Sequence, residues 1–549
     1  MTPHPQGIRA RVLLSSVFKP FAQDDDFGSR SINPAELYHN QVTREQGPFS
    51  LRMFHRTWSL MLLQQNISAP CTVLDFPTRE RFVRELESTR YDIVGLTGII
   101  VNVGKIQEMC RLIRKHSPAS VIVVGGHVTA IPGIESMIDA DHIVKGEGVR
   151  WLRDFLGDTG DASINHPLIP SSFGFRLAGL PMPRGGGNGA ATILTSVGCP
   201  LGCNFCTTSE FFGGKGKFVN FLPRGEDVFR AMCEAESALG ARAFFIMDEN
   251  FLLYRPRALE LLELMKRHGK AWSLYVFSSA NAIRKYDIRQ LVELGIEWIW
   301  MGLESVENQY QKLKGADTRA LTEDLLSHGI RVHGSTIIGL EHHTPDNIDG
   351  VIAHAVAHNT VFHQFMLYTA VPGTPLFREL KASGRILDEV ALADIHGQFK
   401  FNFRHAAISR DQSKQFLDRA FRSDYDVNGP SLYRLAANMF QGWKRHRHDP
   451  DERVRTRVHG EAAQLRSGFG AALWAMEKFL RESNRDVSER IGALRRETER
   501  ELGGLPARLI NRAGGPLLLW SARREARLFP AGRPREPKTF LERRNWSPA

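Results

Sequence analysis

The chain has 549 residues, 42% of them hydrophobic and 24% charged, an ordinary balance for a globular protein with room for roughly two to four domains. Its net charge of +11 would tolerate an anionic partner, but the basic residues are spread along the chain and read first as solvated faces, so nucleic acid is not expected. No apolar run approaches the roughly eighteen residues of a membrane span, and Met1-Thr2-Pro3-His4-Pro5 does not open an export signal.

Over the first 150 residues, β-branched runs alternate with amphipathic ones. Strands are predicted at Val12–Val17, Thr72–Phe76, Asp92–Gly98, Ser120–His127 and His142–Glu147, with helices at Glu80–Thr89 and Val103–His116. Continuous apolar strands separated by helices imply a parallel sheet wound on both faces, which takes ligands outside the carboxyl ends of its strands. Those ends carry small residues: Thr97-Gly98, Gly125-Gly126-His127 and Gly146-Glu147-Gly148. Glycine there lets a bulky ligand approach the backbone, although glycine also simply ends strands.

A polar insert, about Phe21 to Arg56, separates the first two strands and is longer than the sheet requires. Its segment Tyr38–Gly47 is expected either to fold over the ligand side, with His39, Asn40, Gln41 and Arg44 reaching a bound group, or to lie as a solvated loop. Pro167–Gly189, rich in Pro and Gly, reads as a linker.

A second βα series follows. The strand-like run Ala191–Gly198 leads into Cys199-Pro200-Leu201-Gly202-Cys203-Asn204-Phe205-Cys206, and further strands are expected at 243–248, 272–277, 298–304, 332–339 and 363–368. Six strands with intervening helices suit a partial (β/α)6 barrel, with chemistry at the carboxyl ends. Asp248-Glu249-Asn250, Glu304-Ser305 and Gly339 occupy those ends, where carboxylates also serve as ordinary helix caps.

The cysteine loop holds three of the six cysteines; Cys71, Cys110 and Cys233 read as core residues, so no disulfide framework is present and a reducing, cytoplasmic setting is expected. Structural zinc and the usual four-iron cluster each take four ligands, so three thiolates leave one position open. A zinc knuckle that borrows a fourth ligand, or a plain thiol cluster, is the alternative.

The C-x3-C-x2-C spacing, with Phe205 before the last cysteine, resembles the signature of the radical S-adenosylmethionine (SAM) enzymes. The resemblance implies a 4Fe-4S cluster on Cys199, Cys203 and Cys206, with SAM on the open iron and a 5'-deoxyadenosyl radical as its product. It implies SAM contacts from Phe205, from Asp248-Glu249-Asn250, from Glu304-Ser305 and from Gly339. The preceding glycine-edged sheet is similar to the cobalamin-binding domain of the B12-dependent members. Cobalamin contacts are then implied for Thr97, Gly98, Gly125, Gly126, His127, Gly146, Glu147 and Gly148. The D-x-H-x-x-G motif that supplies an axial histidine elsewhere is absent, leaving the lower ligand of cobalt open among none, His39, His55 and His127. A second departure is Glu341-His342-His343, where relatives carry Pro-Gly-Glu.

From Phe377 onward the chain is mostly helical by pattern, with helices at Asp411–Phe421, Glu461–Arg481 and Arg485–Glu501 and an extended tail at Pro530–Pro537. The Arg-rich run Trp443–His448 reads as a solvated helix surface. The expected organisation is a Rossmann-like cobalamin domain over 1–166, a linker over 167–189, the radical SAM barrel over 190–380 and a helical region over 381–549. By resemblance the protein is a cobalamin-dependent radical SAM enzyme, foremost a methyltransferase acting on an unactivated carbon or a phosphinate phosphorus. A cyclase or rearrangement enzyme with the same cofactors, or a non-enzymatic zinc- or cluster-bearing binding protein, are the alternatives. Its partners would be a small-molecule or lipid-like substrate and an electron donor such as a flavodoxin or ferredoxin. No catalytic acid, base or hydrogen-relay residue is singled out.

Overall fold

A computed structural model of the protein describes residues 2–19, 26–27, 41–51, 55–158, 163–171, 176–177, 180–181, 189–304, 313, 315–528 and 537–546. The first sheet contains β1 (Val12–Ser16), β2 (Cys71–Asp75), β3 (Ile93–Thr97), β4 (Val121–Gly125) and β5 (His142–Ile143), all parallel. Neighbouring residues of each strand bury into opposite helical layers, as the two-residue period requires. Leu13, Leu74 and Val94 meet the helices Arg79–Ser88 and Val103–His116, whereas Val12, Leu14 and Val73 meet Trp58–Gln65 and Gly148–Leu156. The last predicted strand is shorter than expected: it leaves the ladder after Ile143, and Glu147 turns the chain into the next helix by accepting from the backbone N–H of Val149 and Arg150.

The sixth strand of this sheet comes from the far end of the chain. β13 (Phe540–Arg544) runs antiparallel along β2, giving the order β13-β2-β1-β3-β4-β5. Arg543 bonds Glu85 at 2.6 Å, and Thr539 donates to the Phe76 carbonyl at 2.7 Å. The helical region therefore ends as a strand that closes an otherwise bare sheet edge. Residues 529–536 of the expected tail lie outside the described residues.

The second sheet has the order β12-β11-β10-β9-β8-β7-β6. Its strands are β6 (Ile169–Pro170), β7 (Gly189–Leu194), β8 (Ala241–Met247), β9 (Ser273–Phe277), β10 (Ile296–Glu304), β11 (Arg331–Ile338) and β12 (Phe362–Leu367). All are parallel except β6, an antiparallel edge contributed by the segment expected to be a linker. The two edges do not pair, so the barrel is partial. Its outer face, including Ile193, Phe244, Ile246, Val276, Ile299 and Met301, packs with residues of the helices Gly225–Leu239 and Arg255–Arg267. The alternate residues stack across the inner face: Phe245 on Tyr275 at 4.8 Å, Phe277 on Trp300 at 4.9 Å, and Trp300 on His333 at 3.8 Å between ring centroids.

The C-terminal helices are Arg410–Asn428, Ser431–His446, Glu452–Gln464, Gly470–Leu480, Arg485–Leu502 and Leu505–Leu528, with a wider π turn at Leu465–Phe469 where one helix was expected. The described end of the long insert is built into this layer: Val42, Phe49 and Leu51 share a core with Leu432, Met439, Trp443 and Leu473. Arg44 is held by the Gln398 side chain at 2.8 Å and by Asp418 at 3.2 Å, beneath Phe421, so the expectation that it reaches a cofactor is replaced by a packing role. Gln41 reaches the barrel, accepting from Gln364 at 2.7 Å; Tyr38, His39 and Asn40 lie outside the described residues. Within the Arg-rich run, Lys444 and Arg447 pair with Glu497 and Glu501 of a neighbouring helix. Among the described residues no helix is long and apolar enough to cross a membrane.

Candidate active site

The carboxyl end of β7 releases the cysteine loop, whose backbone is tied from several sides. Gly216 N–H donates to the Pro200 carbonyl at 2.8 Å, Leu376 N–H to the Asn204 carbonyl at 3.0 Å, and Ser209 Oγ to the Cys199 carbonyl at 2.6 Å. Cys206 caps the short helix Thr207–Phe211. Phe205 lies edge-on to Tyr368 at 6.2 Å and packs against the core beneath the last strands. The three loop cysteines are half-buried, and none of the six cysteines is in a disulfide. Burial, reinforced by the neighbouring thiols and Glu249, pushes the Cys199 thiol up to about 11, so its surroundings by themselves favour the neutral thiol. That is the donor chemistry of a site in which the metal centre supplies the positive charge. Among the described residues no His, Cys, Asp or Glu group is gathered tightly enough for a single ion.

The three residues after β8 divide their work. Asp248 is buried in an ion pair with Arg257 and accepts from Thr195 Oγ1 at 2.9 Å and from Asn250 N–H at 3.0 Å. Asn250 Oδ1 accepts from Ser278 Oγ at 3.1 Å and from Ser279 N–H at 3.0 Å. Both are framework. Glu249 lies between them, and burial together with the charge of Asp248 pushes its carboxyl up to about 7. Among the described residues no hydrogen bond ties it to the framework, and it lies near enough to Cys199 to help raise that thiol.

Glu304 ends β10 buried, at φ +52° and beside a register shift, a left-handed conformation that costs a non-glycine residue about 1 kcal/mol or more and concentrates at functional sites. Ser305 lies outside the described residues. Gly339 has a different reason from the expected one: at φ +83°, a Cβ there would run into the Phe401 ring, so the glycine makes room for protein, not for a cofactor. In the adjacent departure from the family pattern, His343 Nδ1 accepts from the backbone N–H of Gly339 and Leu340 at 3.0 and 3.2 Å, so the imidazole organises the turn.

The glycine-rich edge of the first sheet faces this end of the barrel. His127 stacks on Phe211, the last residue of the helix that follows Cys206, with ring centroids 4.5 Å apart. Its Nε2 is buried with no hydrogen-bond partner among the described residues, and burial pulls the imidazole down to about 4. Gly126, at φ +83°, must be glycine because a Cβ would lie 2.6 Å from the Gly98 carbonyl oxygen. Gly125 and Gly146 are different. A Cβ there would meet nothing closer than 4.0 and 3.9 Å, so their faces are open, and the nearest atom to Gly146 is the Phe211 carbonyl. Open strand ends and an orphaned imidazole opposite the cysteine loop fit a flat cofactor between the two sheets. Thr97 and Gly98 line the same edge, Gly98 donating to the Gly125 carbonyl at 3.3 Å. Gly148 opens the next helix, and Glu147 is engaged in capping it.

Comparison with known families agrees with this arrangement. Residues 60–156 match the model of the B12 binding domain, and residues 193–355 match that of the radical SAM superfamily. The chain thus carries a B12 binding domain followed by a radical SAM domain. It is 24% identical over 350 residues to bacteriochlorophyllide d C-8(2)-methyltransferase of Chlorobaculum tepidum, covering 60% of this chain and 75% of that one. It is also 24% identical over 361 residues to hopanoid C-2 methylase of Rhodopseudomonas palustris, covering 60% and 63%. Among solved structures, the radical SAM methyltransferase TsrM from Kitasatospora setae, with cobalamin and a [4Fe-4S] cluster bound, superposes with a TM-score of 0.51 at 17% identity; the match covers 82% of this chain and all of that one, a likeness of fold. The radical SAM domain implies a 4Fe-4S cluster and SAM, and the B12 binding domain implies cobalamin.

The inner aromatic face was not singled out in the sequence, although Tyr275/Phe277 and Trp298/Trp300 carry its two-residue signal. It continues into a polar chain: Trp300 Nε1 donates to Ser335 Oγ at 2.7 Å, Ser335 to Gln364 at 3.1 Å, and Gln364 to Gln41. Tyr275 OH meets His333 Nδ1 at 2.9 Å.

Proposed function

We propose that this enzyme is a methyltransferase that places a methyl group on an unactivated carbon, or a phosphinate-type phosphorus, of a small or lipid-like substrate. The observation that carries the reading is the His127–Phe211 stack, which sets the open edge of the cobalamin-type sheet against the helix continuing the cysteine loop. Cys199, Cys203 and Cys206 would hold the cluster; Glu249 would meet the amino group of SAM; Glu304 would support the same molecule. Gly125, Gly146 and the His127 edge would receive cobalamin. Bound there, the cluster with SAM supplies radical chemistry and cobalamin a transferable methyl group.

The chain's own task is placement. Asp248 and Asn250 are tied down so that Glu249 is fixed between them, and the cysteine loop is anchored at both ends. The stacked face of Phe277 and Trp300 excludes water and suits a flat or polycyclic apolar substrate. The reading includes a one-electron donor such as a flavodoxin or ferredoxin. A reducing, cytoplasmic setting is part of it, in keeping with cysteines that form no disulfide.

The test is anaerobic reconstitution of the full chain with iron, sulfide and cobalamin, followed by incubation with SAM bearing a deuterated methyl group. With a one-electron reductant present, S-adenosylhomocysteine formation that requires cobalamin, with the label recovered as methylcobalamin, is the expected result. SAM cleavage without S-adenosylhomocysteine would move the assignment to cyclisation or rearrangement, and a protein that takes up zinc but no cluster would overturn it.

A further inference from the structure

The last helix of the C-terminal layer, Leu505–Leu528, has two unlike faces. The inner face is docked closely: Ala522 is fully buried, Leu518 packs into the core that contains Leu473, and a Cβ at Gly515 would lie 2.8 Å from the Trp474 ring. The outer face is left in solvent. Leu517 and Trp520, one helical turn apart on the same stripe, are 56% and 58% exposed, the two most exposed large apolar side chains among the described residues. Exposed apolar residues scattered singly are ordinary, whereas a contiguous pair rimmed by polar groups marks a contact surface.

The rim here is basic. Between residues 511 and 527 the sequence has four arginines and one glutamate. All four arginines are exposed: Arg523, Arg524 and Arg527 continue the stripe beyond Trp520, and Arg512 precedes it at the stripe's edge. Arg524 lies over the Trp520 ring, 5.7 Å from its centroid. None of the four is in an ion pair among the described residues. Elsewhere in the layer the basic side chains are matched: Arg485 pairs with Glu489 at 2.8 Å, Arg495 with Glu477 at 2.8 Å, and Lys444 with Glu497 at 3.1 Å. Water can solvate the four arginines but gives Leu517 and Trp520 no apolar partner. At the boundary of an anionic bilayer both kinds of group are satisfied, the indole and leucine among the upper acyl chains and the guanidinium groups on lipid phosphates. Among the described residues no helix can cross a membrane, so this one would lie along the surface.

We infer that the outer face of this helix docks on an anionic lipid bilayer, with Leu517 and Trp520 at the headgroup boundary and the four arginines on lipid phosphates. A second copy of the face would set arginine against arginine, and a nucleic-acid duplex would leave Leu517 without an apolar partner. The inference goes beyond methyl transfer and stands without it, because these residues belong to the helical layer and to neither sheet.

Flotation of the cofactor-loaded full chain with vesicles tests it, using phosphatidylcholine alone and phosphatidylcholine mixed with phosphatidylglycerol. The mixed vesicles are expected to bind at least tenfold tighter, with the gap closing as salt rises, since each arginine near an anionic surface contributes about fivefold. Leu517→Ser with Trp520→Ser, and separately Arg523→Gln with Arg524→Gln, should each weaken binding to the mixed vesicles at least tenfold. Iron content, cobalamin content and the melting midpoint should stay at wild-type values in both. Arg485→Gln, on an exposed ion pair of another helix, should change nothing. Failure to float with the mixed vesicles, wild-type binding by either double variant, tighter binding of duplex RNA than of the vesicles, or self-association in place of vesicle binding would overturn the inference.

Discussion

Asp248 and Glu249 are adjacent carboxylates at the same strand end, and the structure gives them opposite thermodynamic roles. Asp248→Ala removes the acceptor of Arg257, whose side chain is 2% exposed, and also strands Thr195 Oγ1 and the Asn250 N–H. Removing one partner of a buried ion pair costs about 3–5 kcal/mol. In a barrel of this size that lowers the melting midpoint by on the order of 10 °C. Glu249→Gln should leave the midpoint of the iron-free protein at or above wild type, because the buried Glu249 carboxylate beside Asp248 has no ion pair to lose. Its effect belongs to function: SAM affinity, read by equilibrium dialysis on the reconstituted protein, should fall at least tenfold with iron content unchanged. The reasoning is refuted if Asp248→Ala melts with wild type, or if Glu249→Gln binds SAM normally.

Single Cys→Ala changes at 199, 203 or 206 should each remove most of the iron and the visible cluster absorbance after reconstitution, whereas Cys110→Ala and Cys233→Ala should leave both intact. Arg44→Ala should destabilise the protein by about 2 kcal/mol, through the bonds to Gln398 and Asp418 and the stack on Phe421, without changing cobalamin content; a specific loss of cobalamin would instead restore a ligand-binding role. Glu108 is held at about 2, chiefly by Arg111 and further by Arg79, against a burial that works the other way. A lowered carboxyl pKa stabilises the fold above the unfolded value near 4.5 and loses that contribution as pH falls toward 2. With the arginines partly exposed it is worth about 1–2 kcal/mol. Glu108→Gln should therefore flatten the acid limb of a stability–pH curve, and an unchanged limb would refute the assignment.

Local sequence carried a large share of the architecture. The helix Val103–His116 and the strands around 12–16, 71–75 and 93–97 were legible because a buried parallel sheet demands unbroken apolar runs, and those runs can be seen without knowing what covers them. The cysteine loop was legible for a related reason: its three thiols are neighbours in sequence, so their spacing can be read without any long-range contact.

Long-range pairing decided the rest. β13 is a short run with charged Glu542, Arg543 and Arg544, and only the bare edge of β2 makes it a strand. Gly339 looked like a place for a cofactor until the Phe401 ring, far along the chain, was found to fill its space. Arg44 and Arg457 are ordinary arginines in sequence. The first becomes a half-buried brace because Asp418 and Gln398 come to meet it, and the second is buried and donates to the Val292 carbonyl of a distant segment. Composition and periodicity set which residues must be buried and in what kind of element. Which charge meets which, and which glycine faces open space, depends on the contacts that tertiary packing brings together, and these have no local pattern.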